Sequence, residues 1–283
     1  MDVTRIGVVG AGTMGRGIAQ VCAASGFDVV MSDVGADAVA AGLAAIEKQL
    51  SRVVEKERMS AAEKDALLSR IVTVTGVEAM AGVDVCIEAA TENPEVKLDL
   101  FRALESVCRE DVILASNTSS ISLTKIAGAC VRPERVIGMH FFNPVPLMKL
   151  VEIIRAMQTS DATFEAAKAL ADRLGKTAVA VADSPGFVVN RMLVPMINEA
   201  VFAYSEGLAS AEEIDLAMQL GLSHPIGPLR LADLIGIDVC VYVMDVMYRE
   251  FCDSKYRPCP LLRKMVDAGR LGRKSGRGFY EYG

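Results

Sequence analysis

The chain has 283 residues, 52% of them apolar, and 30 Lys+Arg against 36 Asp+Glu leave a net charge of −6. That length predicts one large or two moderate domains with a substantial core, and the acidic balance excludes a non-specific nucleic-acid binder. No stretch approaches the roughly 18 uncharged residues of a membrane span, and seven cysteines without a C-x-x-C pair, beside only two histidines, argue against a disulfide framework and against a metal site.

The first residues run almost at once into a strand candidate at 5–9, which leaves no room for a signal peptide. Cysteines set in apolar stretches such as Val85-Cys86-Ile87 read as small buried hydrophobes, so a soluble, cytoplasmic protein in a reducing compartment is expected. The strand leads into Gly10-Ala11-Gly12-Thr13-Met14-Gly15, a G-x-G-x-x-G turn, and then into a helical pattern over 13–25. In such a turn Gly10 permits the tight reversal, Gly12 lets backbone N–H groups approach a pyrophosphate, and Gly15 lets helix and strand pack closely. The helix N-terminus adds partial positive charge and unpaired donors. A second strand candidate, 28–32, ends at Asp33, whose carboxylate is placed to accept from both ribose hydroxyls of an adenosine and to repel a 2′-phosphate. A lone glycine motif is a weak signal. With this strand, helix and acid around it, the motif points to a dinucleotide, and to NAD over NADP.

Residues 36–58 and 61–69 read as two helices turning near Arg58-Met59-Ser60, a helical hairpin inserted after the second strand. Lys48, Arg52 and Lys56 recur at i, i+4, i+8, a stripe that reads either as a solvated face or as attraction for a phosphorylated ligand. Strand candidates at 71–74, 83–88 and 112–115, with a helix at 94–109, continue an alternation that predicts a doubly wound, mostly parallel sheet. Ser116-Asn117-Thr118-Ser119-Ser120 follows at a strand's carboxyl end, where ligands of open α/β sheets sit. Its hydroxyls and amide read as contacts for a substrate oxygen or a nicotinamide, or as a helix N-cap ahead of 121–127.

The next strand candidate, 135–141, carries His140 near its end. A histidine titrates near neutrality and can exchange a proton with an alcohol; alone, it reads more simply as a core residue satisfied by backbone. Glu152 changes the weighing, because a charge inside the apolar candidate 147–154 is costly unless paired. Asn143-Pro144-Val145-Pro146 predicts a tight turn that folds Glu152's strand back beside His140's. A carboxylate there would fix the imidazole tautomer and stabilise the imidazolium. The pair favours catalysis. A helix at 161–174 and a strand at 177–182 complete the alternation.

Asp183-Ser184-Pro185-Gly186 interrupts it, with Ser184 predicted to cap a helix and Pro185 to take its first position. Only helical spacing follows, at 185–207, 210–220, 227–251 and 260–269. The predicted architecture is an α/β domain over 1–183 and an all-α domain over 184–283. Asn190, polar and early on an apolar helix, reads as a donor to a carbonyl or as a cap for buried backbone, and His224, in a turn, as structural. The apolar run Val239, Val241, Val243, Val246, Met247 exceeds what one small core buries, which points to a homodimer interface or to internal packing.

Together the segments GAGTMGRGIAQ, IEAATENPEVK, ASNTSS, GMHFFNPVPLMKLVEII, DSPGFVVNR, GLSHPIGPLRLADLIG and GRKSGRGFY resemble the L-3-hydroxyacyl-CoA dehydrogenases, particularly the short bacterial 3-hydroxybutyryl-CoA dehydrogenases, across essentially the whole chain. The resemblance implies a Rossmann-type domain followed by a helical substrate and dimerisation domain, NAD as cofactor, and hydride transfer at C3 of an (S)-3-hydroxyacyl-CoA. It implies His140 as catalytic acid/base, Glu152 as its orienting carboxylate, Ser119 in contact with substrate and nicotinamide, and Asn190 holding the reacting oxygen. Cofactor contacts carry over to the loop Gly10, Ala11, Gly12, Thr13, Met14, Gly15 and to Asp33, Glu92, Lys97, Asn143 and Lys274. The CoA nucleotide borders the hairpin in that family, so Lys56, with Arg52 beside it, becomes a phosphate contact. Two rivals stand beside this expectation. One is a catalytically silent dinucleotide binder on the same scaffold. The other is a hydroxyacid dehydrogenase acting on free acids, which uses a lysine; no lysine here has the placement of His140.

Overall fold

The first strand, β1 (Arg5–Val9), is buried along Ile6 to Val9, as a strand covered on both faces must be. Residues 3–283 are described by a computed structural model, and the chain divides after Ser184 into two units. In the first, β1 turns through Gly10 into α1 (Thr13–Ala24), whose Ile18, Ala19 and Cys22 are fully buried. Then come β2 (Asp28–Asp33) and α2 (Ala36–Glu55), which buries Val39, Gly42, Ile46 and Leu50, one residue per turn on a single stripe. The next helix, α3 (Ala61–Leu68), starts at a capping box in which Ser60 Oγ accepts from Glu63 N and the Glu63 carboxylate accepts from Ser60 N at 2.7 Å. This is the expected helical hairpin.

Two strands, β3 (Ile71–Thr75) and β4 (Val85–Glu88), precede α4 (Pro94–Val107), which starts with Pro94 in its first turn and Asn93 Oδ1 accepting from two backbone N–H groups. Chain order continues through β5 (Ile113–Ser116), α5 (Leu123–Ala127), β6 (Val136–Phe141), β7 (Leu150–Arg155), α6 (Asp161–Arg173) and β8 (Thr177–Ala182). The cap of α5 is Ser122, two residues beyond the Ser116–Ser120 segment that was one reading of it. All eight strands form one sheet in the order β3-β2-β1-β4-β5-β6-β7-β8. The first six run parallel; β7 pairs antiparallel with β6 and parallel with β8. Strand order reverses between β1 and β4, so the crevice of a doubly wound fold opens at their carboxyl ends, beside Gly10 and Ala89.

The second unit is helical: α7 (Val189–Ser205), α8 (Ala211–Leu222), α9 (Pro228–Ile235), α10 (Ile237–Phe251) and α11 (Pro260–Asp267). Its start corrects one expectation. Gly186 (φ +78) and Phe187 (φ +50) lie in the left-handed region, which no right-handed helix can incorporate, so α7 begins at Val189 and neither Ser184 nor Pro185 opens it. The single candidate at 227–251 is likewise two helices, broken at Gly236 (φ +108). Within the apolar run, Val241, Val243 and Met247 belong to the unit's own core, Val246 is also buried, and Val239 stays exposed. Internal packing therefore takes up most of that run. Two buried carboxylates pin the C-terminal segment: Asp233 accepts from Phe279 N, Tyr280 N and the Tyr282 hydroxyl, and Asp215 from Leu229 N, Arg230 N and the Tyr280 hydroxyl.

Candidate active site

The glycine turn is built as the motif requires. Gly10 sits at φ +104, and a Cβ there would lie 2.5 Å from the Ala89 carbonyl oxygen; a Cβ on Gly15 would lie 1.7 Å from the carbonyl oxygen of Gly10. A Cβ on Gly12, by contrast, would meet nothing within 4 Å, so the turn is open where an anion approaches. Gly12 caps α1 without any side-chain acceptor, leaving first-turn donors for a ligand. Asp33 closes β2 beside them. Its Oδ2 accepts from Ala11 N and its Oδ1 from Val34 N, both at 2.7 Å. A cavity of about 240 Å³ adjoins it, lined by Gly10, Asp33, Val34, Val77, Thr91 and Val96 among others. The buried hydroxyl of Ser32, on the wall of that cavity, has no hydrogen-bond partner among the described residues. An open glycine turn, a carboxylate and a mainly apolar slot fit the pyrophosphate, ribose and base of a nicotinamide dinucleotide.

Along the sheet, the antiparallel register sets His140 directly opposite Glu152. The turn predicted from Asn143-Pro144-Val145-Pro146 thus folds β7 back as expected. His140 Nδ1 and Glu152 Oε2 are 2.7 Å apart, and the two residues are 6% and 0% exposed. The imidazole also packs on Phe142, ring centroids 4.5 Å apart. A carboxylate buried this way locks the ring's orientation and tautomer and is positioned to balance a positive imidazolium.

The segment after β5 proves to be a network. Asn117 Oδ1 accepts from Phe141 N at 2.9 Å, tying the segment to the strand of His140. Glu92 accepts from the hydroxyls of Thr118 and Ser120 at 2.8 and 3.0 Å and from Ser119 N at 3.0 Å. Ser116 donates to Glu88 at 2.8 Å. Of the segment's hydroxyls only that of Ser119 makes no hydrogen bond among the described residues. Lys97 is buried, with its ammonium paired to Glu88.

The remaining predicted residues are placed as follows. Asn143 is exposed in the turn after β6, and Arg52 and Lys56 are exposed at the end of α2. In the second unit, Asn190 lies in the first turn of α7, and Lys274 is exposed with its ammonium 2.7 Å from Asp238. Two residues escaped the sequence reading. Glu88 ends β4 and carries no local mark of its buried pairing with Lys97. Lys176 precedes β8, yet its buried ammonium donates to Val145 O at 2.6 Å and Met148 O at 2.7 Å, holding the turn that joins His140's strand to Glu152's. Burial pushes that ammonium below the usual lysine range. Neither signal is local, since each depends on a partner at least nine residues away.

Among the described residues no cluster of His, Cys, Asp or Glu has the arrangement of a metal site, and no helix is long and apolar enough to cross a membrane. Residues 5–184 match the family model described as 3-hydroxyacyl-CoA dehydrogenase, NAD binding domain, and residues 186–282 match that described as 3-hydroxyacyl-CoA dehydrogenase, C-terminal domain. The chain is 52% identical to a 3-hydroxybutyryl-CoA dehydrogenase of Bradyrhizobium diazoefficiens over 99% of this chain and 96% of that protein. It is equally 52% identical to a probable 3-hydroxybutyryl-CoA dehydrogenase of Bacillus subtilis, over 100% of this chain and 98% of that one. The crystal structure of (S)-3-hydroxybutyryl-CoA dehydrogenase from Ralstonia eutropha superposes with a TM-score of 0.96 at 54% identity, covering 100% of both chains.

Proposed function

The chain belongs to the 3-hydroxyacyl-CoA dehydrogenase family, and from that premise we propose that it interconverts (S)-3-hydroxybutyryl-CoA and acetoacetyl-CoA. The observation that carries this reading is the buried 2.7 Å contact between His140 Nδ1 and Glu152, in the same unit as an open dinucleotide turn. NAD supplies the hydride acceptor when the alcohol is oxidised and, as NADH, the donor when the ketone is reduced. His140 takes the proton of the C3 hydroxyl as the C3–H bond breaks, and returns a proton to the C3 oxygen in the reverse direction. With Nδ1 committed to Glu152, Nε2 is the nitrogen that exchanges it. Glu152 balances the imidazolium so formed. Ser119, whose hydroxyl is left over from the Glu88 and Glu92 networks, and Asn190 hold the reacting oxygen.

Asp33 takes the adenosine ribose, and the first-turn N–H groups of α1 take the pyrophosphate. Glu92, Asn143 and Lys274 are assigned to the cofactor, and Arg52 and Lys56 to the phosphates of CoA. The working form we propose is a cytoplasmic homodimer.

The test is direct. Purified protein mixed with acetoacetyl-CoA and NADH should consume the nicotinamide absorbance, and free acetoacetate should not replace the thioester. No turnover of either compound would leave only a dinucleotide binder; equal turnover of the free acid would remove CoA from the recognised substrate.

A further inference from the structure

The connection from β6 to β7 runs through eight residues, 142–149. Short hairpin loops fix strand register through their turn type; a connection this long does not. Pro144 and Pro146 bring no N–H to it, and its internal hydrogen bonds run from Leu147 N and Met148 N to one acceptor, Pro144 O, at 2.9 and 3.0 Å. The remaining support comes from outside. Lys176, just before β8, is 8% exposed and donates to Val145 O at 2.6 Å and Met148 O at 2.7 Å. Beside it, Thr177 N donates to Lys149 O at 2.7 Å. Val145 also packs on α1, where a Cβ on Gly17 would lie 3.0 Å from the Cβ of Val145. The turn that brings Glu152 opposite His140 is thus held by the helix of the dinucleotide turn and by one lysine.

Closing a loop does not by itself call for a buried charge. An ammonium taken out of water without a carboxylate is costly, and no carboxylate pairs with Lys176 among the described residues. Its ionisable neighbour is Cys22 of α1, whose thiol burial pushes up to about 12, so that it stays neutral and offsets nothing. What the charge gains is two charge-assisted hydrogen bonds in fixed directions, to carbonyls three residues apart in the same turn. An apolar side chain would fill the space and leave the turn free to shift.

We infer that Lys176 is a positioning residue, which holds the β6–β7 turn against α1 and so sets His140 and Glu152 in contact with each other and in register with the cofactor helix. This rests on the reading of that pair as the acid/base of the reaction. A displacement of about 1 Å in a group that meets a reacting atom can cost on the order of a hundredfold in rate, so a rigid turn behind His140 matters to turnover. A lysine that served stability alone would change the fraction of folded molecules and leave the rate of each folded molecule unmoved.

The experiment uses the full-length enzyme, with kcat and KM for acetoacetyl-CoA and the NADH dissociation constant from fluorescence titration. Every rate is taken below the thermal unfolding transition of the variant measured. Lys176→Met keeps the apolar stem and removes the donors; Lys176→Gln keeps a polar amide that ends one atom short of the ammonium. Lys176→Met should lower kcat by roughly tenfold to a hundredfold, with KM and the NADH dissociation constant unchanged. On a Glu152→Gln background it should lower kcat little further, because groups acting through one another are not additive. Should Lys176→Met fail to fold, Lys176→Gln decides by the same criteria. Parental kcat in the folded variant overturns the inference, and if NADH then binds more weakly the turn serves the cofactor instead. A loss that recurs in full on the Glu152→Gln background overturns it as well. If Glu152→Gln itself keeps parental kcat, the reading of the pair fails and this inference with it; if Glu152→Gln is impaired and Lys176→Met is not, only this inference falls.

Discussion

At the scale of single residues, the proposed chemistry rests on one imidazole and one carboxylate, 6% and 0% exposed. General acid–base catalysis contributes about 10²–10⁴-fold, so His140→Ala should lower kcat by that factor while leaving NADH affinity intact. Steady-state rates beside a fluorescence titration read both quantities; near-parental turnover would remove His140 from the mechanism. Asp33 has a double role. It accepts from Ala11 N inside the glycine turn and is assigned to the ribose. Asp33→Ala should therefore raise the KM for NADH and narrow the preference for NADH over NADPH, because the carboxylate no longer repels a 2′-phosphate. An unchanged preference would refute the ribose assignment.

At the scale of elements, two side chains staple segments that would otherwise be joined only by backbone. Lys176 closes the turn between β6 and β7 through the carbonyls of Val145 and Met148. Lys176→Met keeps the apolar stem and orphans both acceptors, which should cost about 1–3 kcal/mol. A fall in the urea midpoint without a change in slope is the expected reading. Asp84, just before β4, accepts from Thr4 N at 2.8 Å, Arg5 N at 2.9 Å and the Arg109 guanidinium at 3.0 Å. Burial disfavours its charge, but those donors prevail and hold its carboxyl down at about 2. Its folded value lies below its unfolded one, so its contribution is complete above the ordinary value of 3.8 and is lost as pH falls toward about 2. Since Arg109 is half-exposed, that contribution is about 1–2 kcal/mol. Denaturation curves across this acid window should fall less steeply for Asp84→Asn than for the parent.

At the scale of the whole molecule, the two units differ in what they leave at the surface. The first buries its apolar strands between helices. The second buries most of the Val239–Met247 run, yet Leu216, Leu220 and Leu222 of α8 are each more than half exposed. Leu216 and Leu220 are one helical turn apart, on one side of α8. We propose that in the homodimer a second copy covers this apolar face. Light scattering should therefore give about twice the 30.2 kDa mass of the chain, and Leu216→Lys/Leu220→Lys should shift it toward the monomer. A monomeric parent would leave that face without the proposed partner.

Much was legible before any coordinates. Strand and helix periodicity, the G-x-G-x-x-G turn with Asp33 beyond it, and the cost of a glutamate inside Leu150-Val151-Glu152-Ile153-Ile154 are all local signals, and each needs only its own neighbours in the chain to be read. The start of α7 was not legible, because Asp183-Ser184-Pro185 carries ordinary cap chemistry while the left-handed backbone at Gly186 and Phe187 overrides it. The pairing of Glu88 with Lys97 and the carbonyls held by Lys176 were equally hidden. A hydrogen bond across adjacent strand ends, or from a lysine to carbonyls 28 and 31 residues away, exists only once the sheet has closed. Local sequence determined which side chains carry charge and which segments pair. Tertiary packing alone decided which of those charges are sealed from water and which distant partners hold them there, because those contacts exist only in the folded chain.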